Sequence, residues 1–148
     1  GEGYNINVPL PPGCGHAAYL ETLERIVIPA LTDFAPDIII VACGFDASAL
    51  DPLAHMLCTP QTFAMMTELM METAADICDG KLVLVHEGGY SEVYVPFCGH
   101  AVIAQMAGSE TSAPDPLGEI MIARQPNLRM QAFHSTLIGE MAASFGFE

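Results

Sequence analysis

Two runs constrain this chain more than anything else in it: "DIIIVAC" at 37–43 and "KLVLV" at 81–85. A strand with one wet face alternates apolar and polar side chains. An unbroken β-branched run, here bounded by Pro36 and Gly44, instead predicts a strand buried on both faces, the mark of a parallel sheet. Parallel strands cannot be joined by a hairpin, so a helix must cross between them. Thr59 and Pro60 offer an N-cap and a first-turn proline, Met66, Leu69, Met70, Thr73, Ala74 and Ile77 line one face, and Gly80 closes the helix. The methionines at 65, 66, 70 and 71 read as core filler.

The same logic extends in both directions. Leu20, Leu23, Val27, Leu31 and Phe34 predict a helix over 17–34, kinked at Pro29, and a further helix runs over about 96–107. The opening stretch, 4–10, is strand-like and begins with no cap or preceding helix, which reads as a chain cut from something longer. Strand–helix repeats over 1–108 predict an α/β fold with a parallel sheet, all within a single domain of 148 residues. The small, proline and acidic residues around 109–123 read as a loop, and 124–148 as a C-terminal helical segment centred on 130–145.

Charge excludes one class of partner. Four basic residues against eighteen acidic ones give a formal charge of −14, which repels phosphate backbones, so nucleic acid is set aside. The acidity serves solubility, or favours a cationic substrate such as a polyamine or a lysine-rich tail. Five scattered cysteines with no Cys-x-x-Cys argue against a disulfide framework and point to a reducing, cytoplasmic setting. No run is long enough for a membrane span. Neither Gly-x-Gly-x-x-Gly nor a P-loop is present, which weakens a nucleotide-binding reading.

In an open parallel sheet the ligand crevice lies beyond the carboxyl ends of the strands. Two loops qualify: "GFDASALDP" after the first run and "HEGGYSE" after the second, which bring Asp46 and Tyr90 toward one region. Asp46 has no helix immediately after it to cap, which raises a metal-ligand role over a structural one. Gly88 and Gly89 free the backbone to turn and let a substrate approach. From spacing alone, Tyr90 reads equally as a phenol aimed into the crevice and as an edge tyrosine in solvent. His86 reads as orienting its turn through a backbone hydrogen bond, and a Cys14/His16/His55/Cys58 metal site is a remote alternative.

"YNINVPLPPG", "PDIIIVACGFDASALDPLA", the Thr59–Pro60 helix start and "LVHEGGYSEVYVPFCGHAV", in this order, resemble the C-terminal half of the histone deacetylase superfamily, closest to its class II and bacterial amidohydrolase members. The resemblance covers about 1–108, with 124–145 similar to the family's closing helix. It implies a three-layer arginase-like α/β fold and zinc-dependent removal of acyl groups from amines. By this resemblance Asp46 is a zinc ligand, Tyr90 polarises the substrate carbonyl, and Gly88 and Gly89 belong to the substrate pocket. Acetyl-lysine peptides or acetylpolyamines are the implied substrates.

The family's adjacent histidine pair and its Asp-x-His zinc ligands have no counterpart here: His16, His55, His86, His100 and His134 are all isolated. The expectation is therefore a C-terminal part of such an enzyme, inactive and without tight zinc by itself, or alternatively a non-catalytic binding or assembly module. A sheet cut through its middle leaves an open edge and an apolar face. That predicts self-association, most simply as a symmetric dimer, or pairing with a missing N-terminal half.

Overall fold

The computed structural model describes residues 3–147. Its sheet has two parallel strands, β1 (Ile39–Cys43) and β2 (Leu82–His86), in register from Ile39–Leu82 to Cys43–His86. The crossover is α3 (Pro60–Cys78). Thr59 caps it as its sequence predicts, and Thr62 completes a reciprocal capping box. The other end turns left-handed at Asp79 before Gly80.

The expected long first helix is real but interrupted: α1 (His16–Thr22), a π-helical turn over Leu23–Val27, then α2 (Ile28–Phe34). The predicted kink takes this form because Pro29 has no N–H to continue the ladder. The Ile28 N–H reaches back five residues to the Leu23 carbonyl. Helix α4 (Val95–Ala107) follows β2, α5 (Gly118–Ala123) forms inside the stretch expected to be loop, and α6 (Leu128–Phe145) closes the chain.

Two strand expectations are corrected. Residues 4–10 form no strand; the stretch has no ladder partner, Pro9, Pro11 and Pro12 carry no N–H, and only Val8 and Leu10 touch the core. Nor is the sheet buried on both faces. Ile39, Val41, Cys43, Leu82 and Leu84 share one face and pack into cores with α2, α3 and α4. The opposite face presents Ile40 (66% exposed), Val83 (43%) and Val85 (44%), which join none of the cores formed by the described residues. An apolar run encodes that both faces should be dry without carrying the element that dries them.

Two polar latches hold the helices around this half-covered sheet. Gln125 accepts from the His16 N–H (2.9 Å) and donates to the Leu57 carbonyl (2.7 Å). Glu21 on α1 accepts from Arg25 (2.9 Å) and from Ser135 on α6 (2.7 Å), docking the last helix on the first.

Candidate functional site

The strand ladder does not stop at the strand ends. The Glu87 N–H donates to the Cys43 carbonyl (3.2 Å) and the Phe45 N–H to the Gly88 carbonyl (2.8 Å), so the two crevice loops are stitched together one rung beyond the sheet. From below, the loop after β1 is fixed by the 55–58 stretch, with Cys58 donating to Ala47 and accepting from Ala49. The Phe45 side chain goes down into the core against Phe63, edge to face at 5.2 Å. With Phe45 anchored inward, its neighbour Asp46 is left half-buried at the surface of the crevice.

The glycines set the distance between the two candidate groups. A side chain at Gly88 would collide with Oδ2 of Asp46 and stand 3.4 Å from the Tyr90 hydroxyl, while one at Gly44 would lie 3.0 Å from Oδ1 of Asp46. Asp46 and the Tyr90 phenol therefore border one small space that exists because residue 88 has no Cβ. Gly89 serves a different need: its φ of +126° suits glycine, and a Cβ there would press on Phe45 and Val95. Tyr90 is 55% exposed.

Two carboxylates in one loop have opposite hydrogen-bond states. Asp46 accepts no hydrogen bond among the described residues, leaving its oxygens available as ligands or acceptors. Asp51, nearly buried, is saturated: Oδ1 accepts from the Leu53 and Ala54 N–H groups (2.8 and 3.1 Å) and Oδ2 from the Tyr90 N–H (2.8 Å). Burial alone would raise its pKa, but the three donors outweigh it and hold the carboxyl below its ordinary range. Sequence reasoning passed over this residue; its one local signal was the Asp51–Pro52 turn, and the Tyr90 contact is invisible without the fold.

Two of the histidines contact other side chains. The His86 ring lies 5.2 Å from the Phe45 ring instead of bonding the backbone of its turn, and His16 Nδ1 pairs with the Thr62 hydroxyl at 3.1 Å. Among the described residues no three His, Cys, Asp or Glu side chains are arranged to hold a metal. Asp46 offers a free carboxylate, but the described residues do not make up a whole zinc centre. Behind the site, burial pushes up the pKa of the Tyr19 phenol, with Cys58, Cys14 and Asp46 adding to it, and burial pushes the Cys98 thiol up to about 12.

The Histone deacetylase domain model matches residues 1–106. The histone deacetylase-like amidohydrolase of Pseudomonas aeruginosa is 49% identical over 146 residues, covering 99% of this chain and 38% of that protein. Histone deacetylase 8 of Arabidopsis thaliana is 37% identical over 103 residues, covering 70% of this chain and 27% of its own length. Among solved structures, the histone deacetylase Clr3 superposes with a TM-score of 0.72 at 26% identity, covering 97% of this chain and 22% of that one. The chain thus spans less than two fifths of the length of these relatives.

Proposed function

The chain belongs to the histone deacetylase family, and from that premise we propose that it is the part of a zinc-dependent amidohydrolase that carries one metal ligand and the carbonyl-polarising phenol. One observation supports this reading above the rest: the free carboxylate of Asp46 and the hydroxyl of Tyr90 share the space left by Gly88.

The reaction is hydrolysis of an acetamide on a lysine or polyamine. Water adds to the carbonyl carbon, the carbon–nitrogen bond breaks, and the amine leaves with a proton. Asp46 would hold zinc together with donors that the described residues do not supply, and the metal would contribute Lewis acidity there. The phenol of Tyr90 donates a hydrogen bond to the acyl oxygen and strengthens it as negative charge develops there. Gly88 and Gly89 keep side chains out of the path of the acyl group, and the strand ladder with its extra rungs fixes the turn that carries the phenol as far as Gly88. The general base is not among this chain's isolated histidines, so the 148 residues by themselves are inactive.

The net charge of −14 suits a cationic product amine. Five unpaired thiols suit a reducing, cytoplasmic compartment. The test is turnover of acetyl-lysine peptides and acetylpolyamines by the complete protein, with and without a chelator, alongside Tyr90→Phe. Loss of turnover on chelation and in the variant is expected; activity indifferent to both would refute the assignment.

The bare sheet face favours a second role, assembly. Ile40, Val83 and Val85 form an apolar surface beside unpaired strand edges, suited to a second copy in a symmetric dimer or to a longer chain's remaining strands. A compact monomeric mass at high concentration would count against self-association of this chain.

A further inference from the structure

Tyr90 owes its place to more than its strand. The β1–β2 ladder and its extra rungs fix the chain only as far as the Gly88 carbonyl, and the next two residues are a glycine at φ +126° and Tyr90 itself, more than half exposed. Two successive residues with that freedom would let the phenol swing. The chain is held again at Ser91, whose carbonyl accepts from the Tyr94 and Val95 N–H groups, and between those fixed points the restraint is the hydrogen bond from the Tyr90 N–H to Oδ2 of Asp51. Asp51 is itself immobile, 9% exposed, its other oxygen occupied by the Leu53 and Ala54 N–H groups of its own turn.

We propose that Asp51 is a positioning residue: its carboxylate clamps the loop after β1 to the Gly88–Gly89–Tyr90 turn and so sets where the Tyr90 hydroxyl stands relative to Asp46. The proposal rests on the reading of Tyr90 as the carbonyl-polarising group for its catalytic consequence, but the clamp itself can be measured without any turnover. The division of labour follows from donor count. Asp46 keeps its oxygens free, and Asp51, five positions on, spends both of its own on backbone.

Asp51→Asn discriminates because an asparagine has one acceptor oxygen. The orientation that keeps two bonds, to Leu53 and Ala54, turns its amide N–H₂ toward the Tyr90 N–H, which then has no acceptor. Site-resolved hydrogen exchange on this chain is expected to show the Tyr90 amide exchanging at least about tenfold faster in Asp51→Asn, with the amides of β1 and α3 keeping wild-type protection. An amide-to-ester replacement at residue 90 removes the donor while leaving Asp51 intact, and is expected to mobilise the 88–90 turn even if Asp51→Asn does not fold.

In the complete zinc-loaded protein, Asp51→Asn is expected to lower kcat by about tenfold to a hundredfold with KM little changed, and to cost nothing further on a Tyr90→Phe background. Unchanged exchange at Tyr90 overturns the clamp. An equal kcat loss with and without the Tyr90 hydroxyl overturns its action through Tyr90. Wild-type turnover in Tyr90→Phe alone overturns the catalytic reading, and is told apart from failure of the clamp because the exchange result would still stand.

Discussion

Ile39 and Ile40 are adjacent, identical in type and on opposite faces of β1, which makes them a controlled test of the half-covered sheet. Ile39 is 5% exposed and packs against Ala74, Cys78 and Leu82; Ile40 is 66% exposed. Truncating Ile39 to alanine removes buried methylenes and leaves a cavity behind, with an expected cost of about 2–5 kcal/mol. Fully burying an isoleucine contributes about 1.5–3 kcal/mol. With two thirds of Ile40 already in water and part of the side chain kept by alanine, Ile40→Ala should cost less than about 1 kcal/mol. For a chain of this size each kcal/mol moves Tm by about 2–4 °C, so Ile39→Ala should melt visibly lower than Ile40→Ala in a dilute sample. Urea denaturation followed by circular dichroism measures both, with the m-value as a check on two-state behaviour. Equal losses in dilute solution would refute the face assignment. If a second copy covers Ile40, its truncation becomes costly only as concentration rises, because association adds to stability by mass action.

Three other outcomes are expected. Gly89→Ala should destabilise by about 1–3 kcal/mol, since a Cβ meets Phe45 and Val95 and the backbone φ is +126°; Gly88→Ala presses on the movable end of Asp46, with the Tyr90 hydroxyl at ordinary contact distance, and should cost less than about 1 kcal/mol while displacing that carboxylate, a contrast read by thermal melts. Asp51 carries a depressed folded pKa, so its contribution is present above the unfolded value of about 3.9 and is lost as pH falls through the folded one. The stability gap between wild type and Asp51→Asn, measured by urea midpoint, should therefore narrow below about pH 4, and a constant gap would contradict the assignment. Of the five free thiols, the fully buried Cys14, Cys58 and Cys98, whose pKa values burial raises, should resist a thiol reagent near pH 8 until the chain is unfolded, when all five react.

What the sequence displays well is whatever is written within a few residues. Thr59–Pro60 announces α3 because a cap and a first-turn proline act on the turn they begin. Two undiluted apolar runs announce parallel strands, and parallel strands send both following loops to one end of the sheet, which is why Asp46 and Tyr90 could be paired before any coordinates. The π-helical turn at Leu23–Val27 was half visible: Pro29 demands some break, and only packing of α1 and α2 against the rest selects the form it takes.

What escaped is non-local. Residues 4–10 look like a strand because their side chains favour one, yet a strand is made by a partner's carbonyls, and no local pattern reports that none is within reach. The coverage of Ile40 and Val83 is the same kind of fact. Asp51 is the sharpest case. Asp46 and Asp51 are the same residue type in one loop, each beside small or turn-forming neighbours, and nothing in that string says that one carboxylate will be emptied of partners and the other filled. The difference comes from residue 90, thirty-nine positions away, whose N–H arrives only once β2 has paired with β1. A carboxylate is left free by what fails to bond it and tied down by what does, so the difference between Asp46 and Asp51 in this crevice is a property of the pairing of the two strands and not of either loop.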